Sequence, residues 1–385
     1  MSGRVRGKAQ APRSEAQPSG VRGKAQAPRS EAQPSGVRGK ATRAAQTAAA
    51  LLAGCALLGA AGALERGDRA SRVTGRGSAS EYWDLMARFE SGHRLFARFL
   101  ITNEGPGNRT AIAYGHLLHP DGTASRFRNG RRWGDWTLSP DGLTLDVGSS
   151  LLDQHQPEGR LEIDSDKQGV KIYLRFASDG PATWRDDPAL GDYRVDLLDL
   201  ATPVEGTIWV RGMAETVGVR GRIGITHTWM EQSESDLALR RIEFFSLGDG
   251  ARLYVSDVTA PSGRRSGWLA LERDGEVIQR GFEMSLDERA APAGERYPLP
   301  SVLRLRGDDL EGELHLGRTL LDRNPLEDLP QPFRFLLSLK MSPRRVWTES
   351  TFEVTFAATN GQPALTLRGS GVTTVTFLNP PPSSM

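Results

Sequence analysis

The stretch Gly221–Trp229, GRIGITHTW, holds the residues best placed to do chemistry. It reads as a β-strand, and a strand sends alternate side chains to opposite faces. Ile225, His227 and Trp229 therefore share one face; Gly224, Thr226 and Thr228 share the other. An imidazole can take or give a proton near neutral pH, and an indole can wall an apolar pocket. The same pattern also describes a core strand whose histidine is hydrogen-bonded and inert, and the residues alone leave both readings open. His227 is the one catalytic candidate.

The other chemistry-bearing motifs are missing. There is no Gly-rich phosphate loop, no G-x-S-x-G turn and no H-E-x-x-H. His116 and His119 lie three apart, on opposite faces if they stand on a strand, so a shared metal is not expected. The carboxylates are scattered, with no obvious acid/base couple. No cofactor and no metal are expected.

Positioning these residues is the task of a chain of 385 residues, not all of it domain. Residues 5–20, VRGKAQAPRSEAQPSG, recur letter for letter as residues 21–36, and a third copy starts at Val37 before diverging. So polar a repeat has nothing to bury and is expected to be disordered. It points to a coding duplication, with Val37 an alternative translation start. Of the 49 basic and 47 acidic residues, ten and two lie in residues 1–43, which leaves 39 and 45 in the rest, net −6. The basic tail lacks interleaved aromatics, so nucleic acid is not an expected partner.

Residues 44–64, AAQTAAALLAGCALLGAAGAL, carry no charge and follow Arg38, Lys40 and Arg43. That is the layout of an export signal, with Ala61-Gly62-Ala63 as a cleavage site. The sole cysteine, Cys55, ends Leu52-Ala53-Gly54-Cys55, which resembles a bacterial lipobox; an uncleaved anchor is a third possibility. The expected location is the cell envelope, either periplasmic or lipid-anchored through Cys55. Beyond Cys55 there is no cysteine, hence neither disulfide nor thiolate metal site.

Residues 65–79 read as a linker. From Ser80 onward, short alternating apolar runs are cut by turn signals such as Pro120-Asp121-Gly122, Pro140-Asp141-Gly142, Gly248-Asp249-Gly250, Asp274-Gly275 and Gly307-Asp308-Asp309. Phe333–Lys340 reads as one such strand. Helical periodicity is confined to a turn or two in Leu316–Asp328 and one in Ser80–Phe89. The fold class is all-β, and about three hundred residues of it require two barrels or sandwiches. The expected borders are 80–216 and 217–379.

Glu81-Tyr82-Trp83 resembles the E-W-W opening of the AttH/CrtC-like proteins, which include carotenoid 1,2-hydratases and are related to yeast survival-factor and fungal Diels–Alderase groups. Thr226-His227-Thr228-Trp229 occupies the place of their D-H-x-W motif, and Trp133-x-x-Trp136 with Asp141-Gly142 also fits. The resemblance spans about Ser80–Phe377. It implies two lipocalin-like β-barrel domains and a hydrophobic ligand, with His227 and Trp229 lining a cavity near the barrel junction and Trp83 close by. Thr226 replaces the motif's Asp and Met230 its following Gly. A threonine cannot protonate an alkene, so hydratase chemistry loses its acid.

Three functions follow. The first is an exported or membrane-tethered module binding a hydrophobic small molecule, with Glu81, Trp83, Tyr114, Trp133, Trp136, Thr226, His227 and Trp229 as candidate lining and the N-terminal segment on the membrane. The second is a hydratase, isomerase or cyclase acting on an apolar substrate. The third is an envelope interaction protein without a small-molecule site.

Overall fold

The computed structural model describes residues 69–72, 75, 77–104, 109–178, 183–184, 190–248, 251–273, 276–288, 297–329, 331–339, 341–358 and 364–378. The repeat tail, the apolar segment 44–64 and Cys55 lie outside the described residues.

The first sheet contains β1 (Ser80–Phe89), β2 (Arg94–Thr102), β3 (Thr110–Leu118), β4 (Ala124–Arg131), β5 (Thr137–Leu138), β6 (Thr144–Asp146), β7 (Ser150–Asp153), β8 (Glu158–Ser165), β9 (Val170–Ala177), β10 (Thr183–Trp184), β11 (Arg194–Val210) and β12 (Val217–Met230). Its order is β4-β3-β2-β1-β12-β11-β9-β8-β7-β6-β5, with β10 beside β11. Side chains from both halves of this order, Phe99 and Phe127 with Ile163 and Ile172, share one core, so the sheet curls on itself. The second unit of the fold contains β13 (Arg240–Phe245), β14 (Arg252–Thr259), β15 (Arg265–Arg273), β16 (Glu276–Glu288), β17 (Pro300–Arg306), β18 (Leu310–Arg323), β19 (Arg344–Phe356) and β20 (Leu365–Phe377), which close into a barrel. Closure removes the free edges that a sheet of this size would otherwise expose.

The all-β expectation holds, and the turn signals Pro120-Asp121-Gly122 and Pro140-Asp141-Gly142 fall in turns between strands. Gly122 and Gly142 take φ of 85° and 74°, the left-handed conformation that a tight turn asks of its glycine. Three local expectations are corrected. The border near Val217 falls inside the first sheet: β12 is hydrogen-bonded between β1 and β11, and the barrel starts at Arg240. Ser80–Phe89 is a strand, because both its edges are paired, to β2 and to β12. Of the expected strand Phe333–Lys340, residues 333–338 are helical. A helix covers Gln331–Ser338, preceded by a 3₁₀ turn over Pro325–Asp328, whereas Leu316–Arg323 continues β18. The run FRFLLSL satisfies both periods; Pro332, in the first helical turn, favours the helix.

β1 is buried on both faces. Trp83, Leu85, Ala87 and Phe89 point into the first core; Tyr82 and Met86 point toward the barrel. Gly224 makes that second contact possible. A Cβ there would lie 2.4 Å from the Phe245 ring of β13, so the barrel packs directly on the β12 backbone. Gly224→Ala should cost about 1–3 kcal/mol in urea unfolding through overpacking. Unchanged stability would show that this contact does not hold the sheets together.

Candidate functional site

The strand alternation read from the sequence puts Glu81, Trp83, His227 and Trp229 on one face, and β1–β12 pairing brings them together. Trp83 faces His227 directly across the ladder. The two rings stack at 4.7 Å with 6° between their planes. His227 Nε2 lies 2.6 Å from Glu81 Oε1, within hydrogen-bond distance. Glu81 also accepts from the Ser71 hydroxyl at 2.6 Å and the Arg72 amide at 2.7 Å. Asp196 is the other cross-strand neighbour of His227. Arg69 clamps Asp199 through both terminal nitrogens, at 2.8 and 3.0 Å. Trp229 is half-buried, with the Arg72 and Arg194 guanidinium groups each 5.2 Å from its ring.

This face looks into the first core, not into the junction with the barrel. His227 is fully buried and the expected cavity at the junction is lined by other residues. Trp136 is buried in the same core, its indole donating to the Arg109 carbonyl at 2.8 Å, but its neighbour Trp133 is 58% exposed beneath the Arg109 guanidinium. These two are not brought to the junction either. Thr226 does face the barrel, beside Glu243 and Arg241, behind the cavity wall.

The junction has two adjoining cavities of ≈ 40 Å³ and ≈ 90 Å³. Arg98, Tyr114, Pro325 and Arg345 line both and separate them. The larger is mainly apolar, with Leu100, Ile112, Leu326, Leu329, Leu337 and Met341. The smaller adds Asp84, His116, Trp347 and Asp328. The roof is the stretch from the 3₁₀ turn through the helix. Arg126 donates to Glu327 O at 3.1 Å and Arg128 to Leu329 O at 3.0 Å, while Leu326 and Leu329 pack on Ile112 and Tyr114.

Charge in this interior is arranged in two groups. Arg98 makes a two-pronged bond to Asp84, with Nε to Oδ1 at 2.6 Å, and its guanidinium lies 3.6 Å from the centre of the Tyr82 ring. Arg345 Nη1 approaches Asp84 at 3.8 Å. Burial pushes the Asp84 carboxyl up, but Arg98 above all, then Arg345, override it and hold it well below the usual carboxylate range. In the second group, buried Arg241 donates to Tyr82 Oη at 2.6 Å and Thr228 Oγ1 at 2.9 Å and pairs with Glu243; Tyr82 donates to Glu234. Burial raises the phenols of Tyr82 and Tyr114, so both stay protonated. Among the described residues no hydrogen bond holds the Tyr114 hydroxyl, although Tyr114 is only 6% exposed. Of the sequence candidates, Tyr114 alone lines the cavities.

Sequence reasoning missed Asp84, Arg98, Arg241 and Arg345. A signal was present: Asp84 and Arg98 occupy the apolar face of β1 and β2, between Tyr82 and Met86 and between Phe96 and Leu100. No group of three or more potential ligand side chains among the described residues could hold a metal.

Two measurements probe these groups. His227→Ala should cost about 1–3 kcal/mol by taking one of three hydrogen-bond partners from buried Glu81, and Glu81→Gln should relieve part of that loss in a double-mutant cycle, with coupling of about 0.5–3 kcal/mol. Strictly additive losses would deny the pair. For Asp84 the folded pKa is depressed, so its stabilisation is complete above an ordinary aspartate pKa of about 4 and is lost as pH falls through the folded value. The stability gap between wild type and Asp84→Asn should stay level from about pH 5 to 8 and shrink in stronger acid; a gap that shrinks near neutrality would contradict the pairing.

No family model and no curated protein matches the chain. Solved structures do. An AttH candidate from Nitrosomonas europaea superposes with a TM-score of 0.56 at 14% identity, covering 78% of this chain and 92% of the other. Kievitone hydratase from Nectria haematococca gives 0.51 at 11%, covering 82% and 97%. CghA gives 0.54 at 13%, covering 82% and 98%, and CghA with Sch210972 gives 0.52 at 12%. The described body of this chain, curled sheet followed by closed barrel, therefore has the lipocalin-like fold that the AttH candidate, kievitone hydratase and CghA share.

Proposed function

We propose that the chain binds an apolar small molecule carrying at least one oxygen in the cleft between the two sheets. The observation that carries this reading is the place of Tyr114: its phenol, kept protonated, lines both cavities beside Arg98 and Arg345, and no protein group among the described residues holds its hydroxyl. The Tyr114 side chain lines both cavities, so its hydroxyl is placed to donate to an oxygen on a ligand that fills them. The apolar wall of Leu100, Ile112, Leu326 and Leu329 fits a hydrocarbon body. A space of ≈ 90 Å³ is small beside the about 300–1,000 Å³ of a drug-sized pocket, so a larger ligand has to part Leu326, Leu329, Leu337 and Met341.

A second reading is an isomerase or cyclase. Kievitone hydratase and CghA share the fold. Asp84, held ionised, is not the acid that alkene hydration needs. Protonated Tyr114 beside two arginines suits a developing enolate or carbonyl oxygen, and a shaped cleft can align reacting ends. Delivery to the envelope belongs to both readings and is supported by the basic residues before the uncharged segment 44–64 and by Cys55 within it.

Native mass spectrometry of the full chain purified without detergent tests the proposal. The expected result is a copurifying apolar, oxygen-bearing molecule whose occupancy falls by roughly tenfold in Tyr114→Phe, the loss of one buried hydrogen bond, while stability is preserved. A conversion of that molecule during incubation favours the enzyme. Equal occupancy in wild type and Tyr114→Phe, or no binding of any apolar probe, would overturn the site.

A further inference from the structure

Five large apolar side chains stand exposed among the described residues, and three of them sit together. Phe335, Leu336 and Leu339 are 62%, 44% and 72% exposed, on the helix Gln331–Ser338 and the residue that follows it. The other side of the same segment is seated: Leu337 and Met341 pack with Leu326 and Leu329 against Ile112 and Tyr114. The helix is thus apolar on its cleft side and bare on the side opposite. A bare apolar cluster on a short helix is unfavourable in water and marks a contact surface.

Charge says what the surface meets. From Leu329 to Thr348 the sequence holds Arg334, Lys340, Arg344 and Arg345 and no carboxylate, in a body of net negative charge. Arg344 is engaged by Asp322 and Arg345 is buried at the cleft, but Arg334 is exposed on the helix itself. Arg323, exposed, stands at the base of the roof and lines the smaller cavity beside Pro325, whereas Arg126 is neutralised by Asp328. Three apolar side chains offer far less than the about 800 Å² per partner of a stable protein interface. They are enough for shallow insertion into a bilayer surface, where no complementary shape is required. Arg334 and Arg323, both exposed and engaged by no carboxylate among the described residues, match anionic headgroups.

We infer that the roof helix is a membrane-docking element: Phe335, Leu336 and Leu339 insert at the surface of an anionic bilayer, and Arg334 with its basic neighbours contacts the headgroups. The placement has a consequence for the cleft. Leu337 and Met341 line the larger cavity, so docking sets its roof against the phase in which apolar molecules dissolve.

The inference is independent of ligand identity and is tested on the full chain. In a Cys55→Ser background, Leu339→Cys is labelled with the environment-sensitive fluorophore NBD, and a second protein is labelled at exposed Lys167→Cys on the first sheet. Vesicles of phosphatidylcholine with phosphatidylglycerol are added. Residues 44–64 are common to both proteins, so a difference between labels reports the helix. The expected result is a several-fold intensity gain with a blue shift at residue 339 alone, reduced by high salt, and a partition coefficient lowered by roughly tenfold in Arg334→Glu. No change at 339, an equal change at 167, or a change that grows with protein concentration in the absence of lipid would each overturn it; the last would assign the patch to a second copy of the chain.

Discussion

Three arginines are buried at the junction, and its architecture follows from the partners they need there. Arg98, Arg241 and Arg345 are each less than 10% exposed. Burial works against the charge of Arg98 and Arg241; Asp84 for Arg98 and Glu243 for Arg241 reverse the effect and hold both guanidinium groups well above their ordinary range. Such pairs add little net stability compared with a hydrophobic substitute, but removing one member is costly. They therefore act as a constraint on geometry. Arg241 comes from the barrel, and its partners Tyr82 and Thr228 come from the first sheet, so these bonds tie the two sheets together at this point. The Tyr82 ring, with Arg98 against one face, is the point at which both charged groups meet.

The Glu81–His227–Trp83 cluster does a different job. It lies on the opposite face of β1, where the N-terminal residues Ser71 and Arg72 donate to Glu81 and Arg69 grips Asp199. Residues that precede the first strand are thereby tied to the end of the first core. With Nε2 facing Glu81 at 2.6 Å and one ring face on Trp83, His227 is built in as a cross-strand strut. The face that carries the cavities is the one that bears Tyr82 and Asp84.

Alternation made much of this legible. The partition of Ile225, His227 and Trp229 from Gly224, Thr226 and Thr228 is a property of the strand alone, and it is what the structure has. Which face meets the barrel is not local. It depends on β1 lying between β2 and β12, a pairing that joins Glu81 to a histidine 146 residues away. The border at Val217 failed for the same reason: a return strand that closes the first sheet looks, in sequence, like the start of a new domain. Tyr114 was legible as an aromatic on an apolar strand. Asp84 and Arg98 were visible as charges on that face, but their meaning required the partner strand.

The central claim is that the apolar cleft under the roof, on the Tyr82 face of β1, is where a ligand sits. Photo-crosslinking with a diazirine-bearing fatty acid, followed by peptide mapping of the full chain, tests it most directly. The account expects adducts on Ile112, Leu326, Leu329 or Met341, competed by the copurifying molecule and diminished in Tyr114→Phe. Adducts confined to the His227 face of β1, or spread evenly over the surface without competition, would contradict it.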